Sequence, residues 1–182
     1  MTGEFAVEEF ALADAAELAA LHMQVWREAY AGMISQEYLD GMQLEPRIER
    51  WRQRIVFAAD TEARGEADGV RRRSRLARHR PTGRIAGFCS VGAARDDDAP
   101  VPQELSSLNV LAQFHGSGVA RQLVDATLGE RAAYLWVVRQ NARAIAFYDK
   151  LGFVADGGTK HDDDLGCDEI RMVRQNGRTA DA

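Results

Sequence analysis

Apolar side chains in the first third of the chain recur at helical spacing. From Leu18 to Ala29 they repeat every three or four residues, and Asp14 stands where its carboxylate can cap the first turn. Pro46 suits the first turn of a later helix, because that turn needs few backbone donors. The pattern predicts a strand near Phe5–Phe10, a helix from Asp14 to about Tyr30 ended by Gly32, a short helix within Ile34–Met42, and a helix with Ile48, Trp51, Ile55 and Ala58 on its apolar face.

The second strand has two candidate positions, Arg54–Ala59 (RIVFAA) and Arg72–His79 (RRSRLARH). A tight turn, RPTG, precedes the clear strand Arg84–Gly92, and a hairpin needs its partner strand immediately before the turn. We therefore predict that Arg72–His79 is the strand and that Arg54–Ala59 ends the preceding helix.

Apolar runs bounded by turn residues continue through the C-terminal half. They predict strands at Gln103–Leu111 and Ala133–Val138, helices from Gly118 to about Leu128 and from Asn141 to Leu151, and a closing strand pair in FVADGGTK and CDEIRMVR. The order of elements predicts an α/β fold with one mixed central sheet of six to seven strands and flanking helices. We expect one domain over residues 1–175 and a flexible tail over residues 176–182.

Composition narrows the class of protein. The net charge of −5 argues against a general nucleic-acid binder, and no apolar run approaches the roughly 20 residues that span a bilayer. The N-terminus has acidic residues but no basic segment of a secretory signal, and Cys89 and Cys167 have no metal-binding spacing. We therefore expect a cytoplasmic protein with no membrane association.

Charged runs interrupt this acidic background. Val70–Arg80 (VRRRSRLARHR) is compatible with a nucleic-acid or anionic-lipid patch, but a solvated strand is the favoured interpretation. Asp96–Asp98 and Asp162–Asp164 lack the wider ligand set of a calcium loop, so we expect them in turns and expect no metal.

The segment QFHGSGVA, Gln113–Ala120, joins a predicted strand to a predicted helix. Backbone N–H groups in such a turn, together with the helix N-terminus, attract phosphate. A plain turn without ligand is the alternative. Gly118 is not followed by Lys as a Walker A loop requires, and a Rossmann fingerprint would need glycine at Arg121, so neither of those phosphate loops fits.

A second motif changes the interpretation of this loop. Asn141–Phe153 has the spacing N-x-x-A-x-x-F-Y-x-x-x-G-F. With the glycine loop and EIRMV it strongly resembles the GNAT superfamily of acetyl-CoA-dependent N-acetyltransferases, from about Gly83 to Arg174. The resemblance implies a single-domain GNAT fold, acetyl-CoA as cosubstrate, no metal, and direct transfer of acetyl to a primary amine of a small molecule or a protein N-terminus. It also implies that a homodimer is possible.

The family's pyrophosphate motif, Q/R-x-x-G-x-G/A, fits the loop in two registers. One uses Gln113, Gly116 and Gly118, and the other starts at His115. In the family about four residues separate the strand's last apolar residue from the motif, and Val110 to His115 has that spacing, so we favour the His115 register. The resemblance implies that the cofactor contacts Leu108, Asn109, Val110, His115, Gly116, Ser117, Gly118, Val119, Ala120, Arg121, Asn141 and Tyr148.

Two residues match the family's catalytic positions. Tyr148 matches the usual acid for the departing thiolate, and Glu104 matches a base that some members carry fourteen residues before the motif glycine. Other members carry a glutamate where this chain has Trp136. A core tyrosine and an exposed strand-end glutamate are the alternatives for Tyr148 and Glu104, and a helix cap is the alternative for Asn141.

The sequence gives few signals for the part of the site that would bind the amine acceptor. Trp26, Tyr30 and Trp136 are candidates for an aromatic lining, and His161–Asp164 could attract a cationic amine, with core packing and a solvated turn as alternatives. His22 and Cys89 are interpreted as core residues. A non-catalytic acyl-CoA sensor, or docking of the arginine run on RNA with protein N-termini as acceptors, remain alternative functions.

Overall fold

The computed structural model describes residues 3–66 and 69–175. Its strands are β1 (Phe5–Glu8), β2 (Arg73–His79), β3 (Ile85–Ala93), β4 (Gln103–Val110), β5 (Ala133–Val138), β6 (Val154–Asp162) and β7 (Cys167–Arg174). Its α-helices are α1 (Ala15–Ala29), α2 (Gln36–Asp40), α3 (Leu44–Ala63), α4 (Val119–Thr127) and α5 (Ala142–Asp149). Short 3-10 helices occupy Leu12–Asp14 and Ala112–Phe114.

The strands form one seven-stranded sheet in the order β1-β2-β3-β4-β5-β7-β6. Neighbouring strands are antiparallel except β4 and β5, which are parallel and pair only at Glu104 and Tyr134. Beyond that pair the two strands diverge. From Leu105 to Val110, the edge of β4 that faces β5 therefore has no partner strand in the described sheet, whereas the opposite edge pairs with β3. The sheet therefore opens into a wedge at the carboxyl ends of β4 and β5.

Helices cover both faces of the sheet. On one face α4 and α5 pack on a core that includes Leu123, Tyr148 and Phe153. On the other face α1 and α3 pack together over Phe88 and Leu76 of the sheet. This apolar burial is the main stabilising term, at roughly 25 cal/mol per Å² of apolar surface removed from water. The wedge therefore lies between two well-packed layers.

The predicted order of elements is confirmed, as is Arg72–His79 as the second strand. Arg54–Ala59 lies inside α3, which continues to Ala63, and the first strand ends at Glu8 rather than Phe10. The predicted cap by Asp14 is wrong. Its carboxylate instead accepts from the Ala11 N–H at 3.0 Å and from Arg78 at 2.9 Å, so it does not cap the first turn of α1.

The arginine run forms β2 and is held by ion pairs rather than being simply solvated. Arg75 donates both terminal nitrogens to Glu62 of α3, and Arg78 contacts Glu8 and Asp14. Acids of β1, α1 and α3 thus neutralise much of its charge.

No helix in the described part of the chain is long and apolar enough to cross a membrane. The predicted tail, residues 176–182, lies outside the described residues.

Candidate functional site

A cavity of about 890 Å³ occupies the wedge between β4 and β5. One end is lined by the glycine loop and the start of α5, and the other by α1, α3 and the β6–β7 hairpin. Leu108, Asn109 and Val110 line its middle, as predicted for main-chain contacts to an extended ligand arm. This volume suits a ligand of cofactor size.

The glycine loop presents backbone donors to open space. Gly116 and Gly118 have φ angles of +81° and +85°, a region that side chains with a Cβ rarely adopt, and Gly118 is the N-cap of α4. A Cβ at either glycine would meet no atom within 4 Å, so the space above the loop is open. Within the described residues, the backbone N–H groups of Gly116, Gly118, Ala120 and Arg121 have no acceptor. Ser117 Oγ donates to Phe114 O at 2.7 Å and accepts weakly from the Val119 N–H at 3.4 Å.

His115 lines the cavity, but its ring is already engaged. Arg143 lies 2.7 Å from Nδ1, and the Val110 carbonyl oxygen lies 3.1 Å from Nε2. Because a guanidinium only donates, Nδ1 must accept and Nε2 must carry the proton, which defines a neutral tautomer. Gln113, the other predicted start of the motif, is exposed and absent from the described cavity lining. The geometry therefore favours the His115 register.

Asn141 both caps a helix and faces the cavity. Its Oδ1 accepts from the Ala144 N–H at 3.1 Å, which satisfies a free donor at the start of α5. The residue is only 6% exposed and lines the cavity, and its amide nitrogen donates to no other described residue. The cap thus fixes the side chain and leaves the two N–H donors of its amide nitrogen without a protein acceptor among the described residues.

Tyr148 lies on α5, two turns beyond Asn141, and is 8% exposed. Burial raises the pKa of its phenol well above the usual value, and the neighbouring Tyr30 adds to this increase. The hydroxyl donates to no other residue that the structure describes. Tyr148 therefore stays protonated at neutral pH and keeps its proton available to the cavity that it lines.

Glu104 is buried at the closed end of the wedge, not exposed at a strand end. Both of its carboxylate oxygens accept from the Arg95 guanidinium, and Oε2 also accepts from the Tyr134 hydroxyl at 3.2 Å. Burial raises the pKa of Tyr134 to about 12, so this donor stays protonated. The Arg95 side chain is 69% exposed, so it can leave the carboxylate without creating a buried cation.

The three aromatic residues predicted to line the acceptor end come together at the cavity. Trp26, Tyr30 and Trp136 all line it. Trp136 donates its indole N–H to Asp96 at 2.7 Å, and Lys160 lies 4.3 Å from its ring centre. Burial raises the pKa of Tyr30.

Of the predicted acidic hairpin, Asp162 lines the cavity, whereas His161 is tied to Asp168 at 2.7 Å.

His22 is not a simple core residue. It lines the cavity, and the ring edges of Trp26, Trp51 and Phe88 surround it. Burial, with added repulsion from Arg54 and Arg47, lowers its pKa to about 3. Cys89 is fully buried, as predicted.

Several cavity residues carried little or no signal in the sequence. Arg54, Arg95, Ser107, Arg143 and Glu169 line the cavity because distant elements meet there. Arg54 alone had a local signal, because it lies three positions after Trp51 and therefore beside the predicted apolar face of its helix. In the described ranges no three His, Cys, Asp or Glu side chains are placed to hold a metal ion.

Comparisons with known proteins agree with this arrangement. The acetyltransferase (GNAT) domain model matches residues 72–155. The chain is 25% identical to the uncharacterized N-acetyltransferase YuaI of Bacillus subtilis, covering 78% of this chain and 76% of that protein. It is 37% identical over 106 residues to an uncharacterized N-acetyltransferase of Mycobacterium tuberculosis, covering 52% of this chain and 64% of that protein. The match thus spans somewhat less than two thirds of the mycobacterial relative.

Solved structures share the whole fold. The PaiA N-acetyltransferase of Thermoplasma acidophilum, in complex with coenzyme A, has a TM-score of 0.69 at 19% identity, covering 94% of this chain and 98% of that one. The ribosomal-protein-S5-alanine acetyltransferase of Vibrio fischeri has a TM-score of 0.68 at 14% identity, covering 98% and 96%. The domain match, the related sequences and the shared fold lead to one conclusion: the chain is similar to N-acetyltransferases of the GNAT type, in sequence over residues 72–155 and in fold over nearly its whole length.

Proposed function

We propose that this protein transfers the acetyl group of acetyl-CoA directly to a primary amine, of a small molecule or a protein N-terminus, within a ternary complex. The observation that carries the proposal is the wedge between β4 and β5, which joins a phosphate-binding loop at one end to an aromatic pocket at the other. A thioester and an amine that occupied these two ends would meet beside Tyr148 and Glu104.

The cofactor would occupy the loop end of the cavity. Free N–H groups from Gly116 to Arg121 and the positive end of α4 offer donors to a pyrophosphate. The unpartnered edge of β4 at Leu108–Val110 offers main-chain groups to the pantetheine arm, as a sheet edge does to an added strand. The amide nitrogen of Asn141 is a further donor to that arm. His115 acts less directly, since its neutral ring holds Arg143 beside the loop.

The acid role falls to Tyr148. The amine nitrogen attacks the thioester carbonyl carbon, a C–N bond forms, and the C–S bond breaks. The departing thiolate then takes a proton from the Tyr148 hydroxyl, which burial keeps protonated. The proton that Glu104 takes from the amine returns through water to the phenolate, so both groups are restored and the protons balance.

The base role falls to Glu104, acting through a water. Its carboxylate lies at the closed end of the wedge, two residues before Ser106. Departure of the exposed Arg95 side chain would free one oxygen to accept the amine's proton. Deprotonation matters because an ammonium ion has no lone pair for attack.

Ser107 is a candidate donor to the thioester oxygen. Its Oγ is buried and has no partner in the described structure, although it lines the cavity. In the pairing of β4 with β3, a bulge leaves Ser106 without a register partner between Leu105 and Ser107. Such a bulge changes the direction in which the neighbouring side chains point. An unused donor beside the reacting carbonyl would stabilise the charge that develops on its oxygen.

The test is thiol release from acetyl-CoA against a panel of amines and peptide N-termini, with calorimetry of acetyl-CoA binding in parallel. We expect turnover on at least one amine class, and Tyr148→Phe should lower kcat about 10- to 100-fold with acetyl-CoA affinity within twofold of wild type. Tight acetyl-CoA binding with no turnover across the panel would instead identify an acyl-CoA sensor. Unchanged kcat in Tyr148→Phe would remove this residue from the reaction.

A further inference from the structure

Arg54 is a cationic residue without an acidic partner in the described chain, at the end of the cavity that would bind the acetyl acceptor. It lies on α3 and lines the cavity, with its guanidinium 4.5 Å from the ring centre of the buried Trp51. Within residues 3–66 and 69–175 it forms no ion pair and donates no hydrogen bond to another residue. Two titratable groups interact electrostatically with it, His22 and Arg95, and neither is an acid.

The other cations around this end of the cavity are compensated. Arg95 is paired with Glu104, and Lys160 with Glu169 at 3.2 Å. The chain as a whole has an excess of acids, 28 against 23 Lys and Arg, so acidic partners are plentiful. Arg54 has no such partner among the described residues and its side chain is exposed to the cavity, so its guanidinium is free to bind an anionic group that enters there.

The cofactor is too far away to meet this demand. Arg54 interacts electrostatically with Arg95, which pairs with Glu104 at the start of β4, whereas the glycine loop follows the end of β4. Six residues of strand from Glu104 to Val110 separate the two ends by roughly 20 Å. The anion must therefore belong to the other substrate.

We propose that the acceptor amine also carries an anionic group, in the first place a carboxylate, and that Arg54 binds it. This inference rests on the proposed acetyl transfer and narrows its acceptor class to amino acids and related amino-anions. The planar guanidinium offers paired donors that match a carboxylate, while Trp51 holds its other face. Aromatic neighbours such as Trp26 would contact the apolar part of the same molecule.

Matched acceptors test the charge requirement. L-phenylalanine, L-phenylalaninamide and 2-phenylethylamine share one amine and ring but differ in the carboxylate, and O-phosphoethanolamine with ethanolamine tests phosphate in its place. We expect the anionic member of a pair to have at least tenfold higher kcat/KM than its neutral or cationic counterpart. Preference for the uncharged or amidated acceptors would overturn the inference while leaving acetyl transfer intact.

Variants assign the preference to Arg54. Arg54→Gln should raise the KM of the anionic acceptor at least tenfold and leave the KM of acetyl-CoA within twofold, and Arg54→Lys should fall in between. Arg52→Gln is the control, because Arg52 lies on the same helix but pairs with the exposed Glu49. An anion preference that survives in Arg54→Gln, with the variant folded by its melting curve, would contradict the assignment.

Direct binding separates this inference from the proposed function. N-acetyl-L-phenylalanine has the carboxylate but no reactive amine, so its calorimetric titration needs no turnover. Binding that is lost in Arg54→Gln, in a protein that acetylates no amine, would uphold the anion site and reject acetyl transfer. Absence of such binding in a protein that acetylates amines would reject the anion site alone.

Discussion

The Tyr134 hydroxyl donates to Oε2 of Glu104 at 3.2 Å, across the only register position at which β4 and β5 pair in the described sheet. The same hydroxyl accepts the Arg95 backbone N–H at 3.1 Å, so one network fixes the carboxylate at the closed end of the wedge. This network holds the carboxylate beside the cavity, as the proposed base role requires.

Glu104→Gln should therefore lower kcat about 100-fold and leave the affinity for acetyl-CoA within twofold. The amide keeps the shape and the Tyr134 contact but cannot accept the amine's proton. Steady-state kinetics and calorimetry on the same preparation measure both quantities, with Glu49→Gln as the control on an exposed surface. A Glu104→Gln enzyme with wild-type kcat would assign Glu104 a structural role in the Arg95 and Tyr134 network.

Gly118→Ala should weaken acetyl-CoA binding more than tenfold. The φ angle of +85° makes alanine strained at this position by about 1–2 kcal/mol, and a Cβ would project into the open space above the loop. Gly83→Ala is a matched control: its φ is +69°, its Cβ would also meet nothing within 4 Å, and it lies in the β2–β3 turn.

The two variants should lose similar stability in urea titrations, while only Gly118→Ala should lose affinity in calorimetry. Equal affinities for acetyl-CoA in both would show that the loop is a plain turn.

Local patterns were enough to predict the elements and most of the residues that line the loop end of the cavity. The strand, the glycine loop and Asn141 follow one another closely in the chain, and each has a recognisable local role. The acceptor end was only partly predicted, because Arg54, Arg95 and Ser107 come from separate elements that meet only in the folded sheet. Asp14 illustrates the same limit: its sequence position suits a cap, but Arg78, 64 positions away, binds its carboxylate.

Arg75→Gln should destabilise the fold by about 1.5–3 kcal/mol. Its side chain is 14% exposed and both terminal nitrogens donate to Glu62, so the substitution leaves this part-buried carboxylate with only the Arg73 contact at 3.3 Å. Arg52→Gln, in an exposed pair, should cost less than about 0.5 kcal/mol. Urea denaturation compares the two.

The same ion pairs bear on RNA docking. Because acids of the chain neutralise much of the β2 arginine charge, we expect no binding to a mixed-sequence RNA at 150 mM salt, a concentration of about physiological strength. Salt-sensitive binding that weakens in Arg75→Gln would contradict this expectation and revive the docking hypothesis.

His22 should make the stability of the protein sensitive to mild acid. Its pKa is about 3 in the folded protein, because burial and the nearby Arg54 and Arg47 disfavour the charged ring, whereas an unfolded histidine has a pKa near 6.5. Between these values the unfolded chain binds a proton that the folded chain does not, so the free energy of unfolding falls as the pH is lowered. The contribution of His22 is fully present above pH 6.5 and is lost progressively toward pH 3.

At pH 5 this linkage amounts to about 2 kcal/mol. His22→Phe keeps a ring among Trp26, Trp51 and Phe88 but cannot titrate, so its loss of stability between pH 7 and pH 5 should be smaller than that of wild type by this amount. Urea titrations at the two pH values measure the difference, and the other titrating groups are common to both proteins. Equal losses in the two proteins would mean that the His22 ring is hydrated and titrates normally, and that water in the cavity reaches the Arg54 side of the acceptor end.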